Sequence, residues 1–302
     1  MAQPALDVFR SLDTALAGAV ATAAPSVVHV SRGHTGGSGI AWAADLVISA
    51  SFHTPDKTQI GVPNSGQQGE LDLKDAEVIG RDPGTDVALL RVPSGGLVPA
   101  KFRDDVPAVG NLALAIGRPG RTARASLRAI GVLGPEYRTP HGGKLDRYLE
   151  SDRQIPRGFA GGPLIDADGA VIGMNTRTLL RGEDLAIPTV TLRRVVDELA
   201  AHGGVRRGYL GVGAYPAQLP PALAQLAGRD RGALVASVED GAPAATAGVL
   251  VGDIIVEVAG APVTDPDSLR LALGDRPGET VEITVLRGGA KHAISVALGV
   301  KP

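Results

Sequence analysis

The sequence predicts a mostly β protein of two successive units, and three observations carry that reading. Its 302 residues include 41 Gly and 22 Pro but only 3% aromatics, a composition that cuts the chain into short elements because glycine and proline punctuate regular structure. From Ser26 to about Gly173, short apolar or alternating runs recur between Gly, Pro and Asp, the spacing of strands in a barrel or sandwich. The period then becomes helical and gives way to His202-Gly203-Gly204-Val205-Arg206-Arg207-Gly208, a hinge before a second unit. Hydrophobic residues make up 44% of the chain, ample for packed cores in two or three domains.

Each element follows from its residues. Residues 1–24 read as a short amphipathic helix with Val8, Leu12, Leu16 and Val20 on one face. Strands are expected at Ser26-Val27-Val28-His29-Val30, Leu46-Val47-Ile48, Asp86 to Val92 and Ala170 to Met174. Leu192, Val195, Val196 and Leu199 mark one helical face between Thr189 and Ala201, and residues 189–207 read as a linker helix and hinge between a unit at 25–188 and another at 208–302. In the second unit, strands are expected at 233–238, 252–258, 280–286 and 292–298, the last two joined by a Gly288-Gly289 turn. One helical turn or two is expected at 242–247, and a helix from Asp265 to Leu273 with Asp265 as cap and Pro266 at its first position.

Several function classes fall away on composition. Lys plus Arg (30) nearly balances Asp plus Glu (32), and without a dense basic run nothing favours nucleic acid. With no cysteine there are no disulfides, thiolate metal sites or cysteine nucleophile. His29, His34, His53, His141, His202 and His292 lack metal-ligand spacing, so no metal or other cofactor is expected. No run of about 18 apolar residues exists to span a membrane. Asp7, Arg10 and Asp13 interrupt the apolar start of the chain, which makes an unconvincing export signal.

The segment that carries chemistry is Gly158-Phe159-Ala160-Gly161-Gly162-Pro163-Leu164. It resembles the nucleophile loop of a chymotrypsin-type serine protease, with alanine where the serine hydroxyl should be. A serine protease needs that oxygen to attack the carbonyl, a histidine to take its proton and backbone N–H groups to hold the oxyanion. Alanine at 160 supplies an N–H and no nucleophile.

Four pieces in order, Gly37-Ser38-Gly39, Thr85-Asp86-Val87-Ala88-Leu89-Leu90, the loop at 158–164 and Leu185-Ala186-Ile187-Pro188, resemble the HtrA (Do-like, trypsin-like) protease family followed by a PDZ domain. The resemblance implies a chymotrypsin-like double β-barrel and then a small β-barrel with two helices. It places the triad at Asp86, Ala160 and a histidine position that falls at Phe52 or His53. Counting from Gly37-Ser38-Gly39 gives His53, whereas matching the strand Val47-Ile48-Ser49-Ala50-Ser51 gives Phe52. We favour Phe52, because a one-residue slip would reverse every side chain of that strand. Gly158, Phe159 and Ala160 then form the oxyanion loop. Ser51, Thr54 and Ser151 lie near the right segments, but a hydroxyl without a positioned base is a poor nucleophile.

The PDZ-like part implies capture of peptides or protein C-termini by strand addition, with the terminal carboxylate held by a tight loop. By resemblance that loop is Tyr209-Leu210-Gly211-Val212, and Leu269 and Leu273 of the following helix line the side-chain pocket. Tyr209 and Leu210 alternatively serve only to pack the domain. Two functional readings follow: a pseudoprotease that binds peptides or regulates an active homologue, or a serine endopeptidase of protein quality control captured with its serine changed to alanine and His53 as base. A third has neither cleft binding anything. The resemblance further implies a homo-oligomer, a trimer assembled through the N-terminal segment, and a periplasmic or other extracytoplasmic location. The weak export signal leaves a trimmed leader or a cytoplasmic protein as the alternatives.

Overall fold

The computed structural model describes residues 3–32, 35–64, 69–105, 107–180, 183–274 and 276–301; His34 lies outside them. Two compact units divide at Val205 and Arg206.

The first unit begins with helix α1 (Gln3–Ala23) and continues into a closed six-stranded barrel. Its strands are β1 (Val27–Arg32), β2 (Thr35–Ala41), β3 (Leu46–Ala50), β4 (Lys57–Pro63), β5 (Leu71–Asp82) and β6 (Val87–Arg91), closing in the order β1-β2-β3-β6-β5-β4. A second closed barrel uses β7 (Leu112–Gly117) and β8 (Arg124–Gly134) with four later strands. A small hairpin of β9 (Tyr137–Arg138) and β10 (Lys144–Leu145) precedes β11 (Tyr148–Ser151), β12 (Pro163–Ile165), β13 (Val171–Leu180) and β14 (Glu183–Pro188). The order of this barrel is β11-β14-β13-β12-β7-β8.

Alternation explains why the apolar runs of the first barrel are continuous. In β6, Ala88 and Leu90 join the cluster inside that barrel with Val47 and Ile60, while Val87 and Leu89 face the other way. There they pack with Ile48 and with Ile116, Ile165 and Met174 of the second barrel. A strand buried on both faces has no polar face to show. The same cluster takes in Ala19 and Ala23 of α1 and Leu192, Val195, Val196 and Leu199 of helix α2 (Thr189–His202). The helix read from the sequence as a linker thus has its apolar face inside the core of the first unit. On α1 the apolar face is divided: Leu16 and Val20 pack against this core, while Val8 and Leu12 are exposed.

In the second unit β15 (Arg207–Tyr209) pairs with β22 (Gly299–Lys301). A larger sheet runs β16-β17-β18-β20-β21, from β16 (Val212–Gln218), β17 (Arg231–Val238), β18 (Ile254–Val258), β20 (Thr280–Arg287) and β21 (Ala290–Ala297), with β19 (Ala261–Pro262) beside β18. Helices α3 (Pro221–Ala227), α4 (Pro243–Ala247) and α5 (Pro266–Gly274) complete it. The Asp265 carboxylate accepts the Ser268 N–H at 2.7 Å, capping α5. Asp253 anchors the sheet end: buried, it accepts the Leu250 N–H at 2.8 Å and a two-pronged pair of bonds from Arg287, both 2.7 Å. Helix α3 and strand β16 were not expected. Pro220-Pro221 and the Pro216 inside β16 mask both, yet proline is tolerated at a helix start and in an edge strand.

Candidate functional site

The pairing of β3 with β6 brings the first two site segments together. Ala50 stands opposite Val87, so the chain leaving β3 meets the chain entering β6. Residues Ser51–His53 form one 3₁₀ turn there. The Ser51 N–H donates to the Asp86 carbonyl at 3.0 Å, and Arg81 donates to the Ser51 carbonyl at 3.0 Å.

Asp86 is fully buried and has a positive φ of 57°, uncommon for a residue with a side chain. The preceding turn imposes it: the Asp86 N–H donates to Pro83 O at 3.4 Å, and Thr85 and Gly84 both bond the Asp82 carboxylate. An isolated buried carboxylate is costly unless donors surround it, and here three do. The Phe52 N–H reaches Asp86 Oδ1 at 2.9 Å, and the hydroxyls of Thr176 and Thr178 reach Oδ2 at 2.5 and 2.7 Å. The two threonines stand two residues apart on β13, so they share a face of the strand, and they belong to the second barrel. Sequence reasoning missed them. The Thr-x-Thr spacing at 176–178 puts both hydroxyls on one face of a strand, but nothing in the sequence aims that face at Asp86.

Phe52 is 43% exposed and its ring lies 5.5 Å from that of His141. His53 occupies the other side of the turn. It lines a depression of about 440 Å³ with Gly36, Gly37, Pro119, Arg157, Gly158, Ala160 and Arg177. The two residues proposed for the histidine position are thus split: the backbone of one holds Asp86, and the other borders the cleft beside Ala160.

The loop at 158–164 is held from both barrels. Ser38 of β2 donates its hydroxyl to the Gly158 carbonyl at 2.6 Å and accepts the Arg118 N–H at 2.7 Å. Gly161 has φ +83°, and a side chain there would strike Ser38 O at 2.3 Å, so the approach of β2 demands glycine. Phe159 turns inward, 3% exposed. Its N–H donates to Pro156 O at 3.1 Å, its carbonyl accepts the Gly162 N–H at 2.9 Å, and the Gly161 N–H goes to Asn175 O at 2.8 Å. Among the described residues no internal acceptor takes the N–H of Gly158 or Ala160. The loop therefore keeps two backbone donors beside one depression, and residue 160 brings a methyl group and no hydroxyl to it.

Arg118 braces this region from behind. Buried, it donates to the carbonyls of Val27 (2.6 Å), Ala24 (2.9 Å) and Arg121 (3.0 Å), and its burial pushes the guanidinium pKa down from its ordinary value. Among the described residues no three histidines, cysteines or carboxylates are placed to hold a metal ion.

The second unit contains its own depression, of about 290 Å³, bordered by Tyr209, Gly211, Val212, Gly213 and Glu239. The Leu210 and Gly211 carbonyls accept the N–H groups of Ala244 and Glu239, both at 2.9 Å, whereas among the described residues no internal acceptor takes the N–H of Leu210 or Gly211. The Tyr209 hydroxyl donates to Glu239, which raises the phenol pKa above its ordinary value. Strand β16 leads away as the outer strand of its sheet. Leu210, Leu269 and Leu273 share one buried core cluster, so these three pack the interior while Tyr209, Gly211 and Val212 border the depression.

Among the described residues no helix is long and apolar enough to cross a membrane. A trypsin-like peptidase domain matches residues 37–174 and a PDZ domain matches residues 208–298. The chain is 35% identical over 240 residues to a probable periplasmic serine endoprotease, DegP-like, of Brucella suis, covering 76% of this chain and 46% of that protein. A protein of the same description from Ectopseudomonas mendocina is 33% identical over 275 residues, covering 88% of this chain and 56% of the relative. The chain thus spans about half the length of these relatives. Among solved structures, the serine endoprotease from Yersinia pestis aligns with a TM-score of 0.69 at 27% identity over 95% of this chain and 98% of its own. The HtrA-type protease AlgW with a decapeptide aligns with a TM-score of 0.70 at 26% identity, over 95% and 99%. Two closed barrels in tandem and a PDZ domain after them, together with these likenesses, establish that the chain belongs to the HtrA family.

Proposed function

We propose that this chain is a pseudoprotease of the HtrA family, a scaffold that holds peptides and does not cut them. One observation carries the reading: the loop at 158–164, which by resemblance holds the nucleophile, has alanine at 160. Phe52 supports it as a second lesion, because the residue whose own N–H binds the Asp86 carboxylate bears a phenyl ring in place of a base. Thr176 and Thr178 satisfy Asp86 without an imidazole. A carboxylate so held keeps the barrels joined and no longer orients a histidine.

Peptide binding by the PDZ domain is the companion proposal. An extended partner adds to the outer edge of β16, and its terminal carboxylate meets the Leu210 and Gly211 N–H groups. The HtrA-type protease AlgW, solved with a decapeptide and with a tripeptide, supports peptides as the ligand class. By the description of its relatives, a periplasmic location is proposed. A homo-oligomer and regulation of an active homologue are proposed from the family resemblance alone, with exposed Leu12 on α1 as a contact for the former.

The competing reading, an endopeptidase captured with alanine in place of its serine, draws on one fact: His53 lines the same depression as Ala160. Restoring the hydroxyl alone separates the two. Ala160→Ser incubated with casein is expected to be inert in a pseudoprotease, and robust cleavage would establish the endopeptidase with His53 as base.

A further inference from the structure

The depression at Ala160 has a charge pattern that peptide cleavage does not require. Two arginines, Arg157 and Arg177, are among the residues that line it, and no aspartate or glutamate is. Arg177 sits between Thr176 and Thr178; strand alternation turns those two toward Asp86 and Arg177 to the opposite face, toward the depression. Arg157 is exposed at the mouth. At the same place the Gly158 and Ala160 N–H groups have no internal acceptor among the described residues, although Ala160 is only 5% exposed. Buried backbone donors are almost always paired, so this arrangement wants an acceptor from outside. The loop is pinned in that state by Ser38 on Gly158 O and by the Phe159 and Gly161 bonds, so binding need not reorganise it.

We propose that this depression captures the terminal carboxylate of an extended peptide, with the Gly158 and Ala160 N–H groups and the Arg157 and Arg177 guanidiniums as its receptor. The inference rests on the reading of the cleft as a peptide-holding site and deepens it by naming the ligand group. A full negative charge suits two arginines and two N–H donors better than a neutral internal carbonyl does, because charge-assisted hydrogen bonds are about twice as strong as neutral ones. With alanine at 160, that residue puts no hydroxyl in competition for the second carboxylate oxygen. The chain then carries two carboxylate receptors, one in each unit.

The test uses the full chain, labelled with ¹⁵N, titrated with acetyl-Ala-Ala-Pro-Val as the free acid, with the same peptide amidated at its C-terminus, and with acetate. The Gly158 and Ala160 amide signals report on this cleft and those of Leu210 and Gly211 on the PDZ loop, so the two units are read separately. The free acid is expected to shift Gly158 and Ala160 and to bind there about tenfold or more tightly than the amide. Arg157→Gln, at an exposed position, is expected to weaken the acid about tenfold and leave the amide unchanged, and added salt should act in the same direction. Equal shifts by acid and amide would overturn carboxylate capture while leaving a peptide-holding cleft. Acetate binding as well as the free acid would overturn the peptide terminus as ligand. Silence of Gly158 and Ala160 toward every probe would overturn both this proposal and peptide holding by the cleft. The acid–amide comparison is made on the unaltered protein, so it stands even if a variant fails to fold.

Discussion

The Phe52 N–H donates to Asp86 Oδ1 at 2.9 Å, so the buried aspartate before β6 grips the backbone of the turn that follows β3. The remaining acceptor, Oδ2, is filled by two threonine hydroxyls from the second barrel. Asp86 thus clasps the turn after β3 of the first barrel to β13 of the second. Thr176→Val removes one donor from a buried charge, for an expected loss of about 2 kcal/mol; Thr178→Val, half-buried, should cost about 1 kcal/mol. Urea unfolding of each variant measures this, and unchanged midpoints for both would remove Asp86 from the account of stability.

Ser38 is a second tie across the barrels. Ser38→Ala deprives Gly158 O of a donor and the Arg118 N–H of an acceptor. We expect a loss of about 1–3 kcal/mol and faster hydrogen exchange at Phe159 and Gly161, whose N–H bonds hold the same loop. Slow exchange in the variant would mean that the loop is rigid without β2.

Stability of the PDZ unit should depend on acid. Burial is the largest influence on Asp253 and opposes its ionisation. The Arg287 hydrogen bonds, the Leu250 N–H and the nearby charges of Arg287 and His292 outweigh it and hold the carboxyl below its ordinary value. Asp265 is likewise held low, chiefly by the Ser268 N–H. A carboxylate whose pKa is lower folded than unfolded adds stability that is complete above the unfolded value, about 3.9, and is lost as pH falls through the folded one. Urea midpoints of residues 206–302 should therefore be flat from neutrality to about pH 5 and fall below about pH 4. Asp253→Asn should be less stable at neutral pH and less sensitive to acid; a parallel acid curve would place the sensitivity elsewhere.

In the PDZ loop, Gly211 tolerates no side chain. It has φ +79°, and a Cβ would lie 2.2 Å from Cβ of Ala242. Gly211→Ala should lower affinity for a C-terminal peptide about tenfold or more, because the loop must shift to admit the methyl group. Fluorescence anisotropy with a labelled peptide reads this, and unaltered affinity would move the carboxylate site away from Gly211.

Much of this was legible in the residues. Val87-Ala88-Leu89-Leu90 announces a strand, and the Asp265-Pro266 cap announces α5. The loop at 158–164 shows its Gly-Gly-Pro turn and the alanine at 160. What stayed hidden depends on contacts between segments far apart in sequence. Nothing local to Thr176 and Thr178 says that they reach Asp86, 90 and 92 residues away, and nothing near Ser38 says that its hydroxyl spans 120 residues to Gly158. The helix at 189–202 shows its apolar face in the sequence, yet only the barrels show what that face covers. Leu269 and Leu273 have the spacing of a ligand pocket and of a core alike, and the structure places them in the core with Leu210.

The central claim is that two positions, 52 and 160, have left the chemistry of the family, and proteolysis by restored variants tests it most directly. Ala160→Ser and the double variant Phe52→His, Ala160→Ser are to be assayed side by side on casein, with the unaltered chain as blank. The account predicts no cleavage above the blank from Ala160→Ser alone, and cleavage only once the base is returned with the nucleophile. Robust cleavage by Ala160→Ser on its own would contradict it, and would make His53 the base of a working protease.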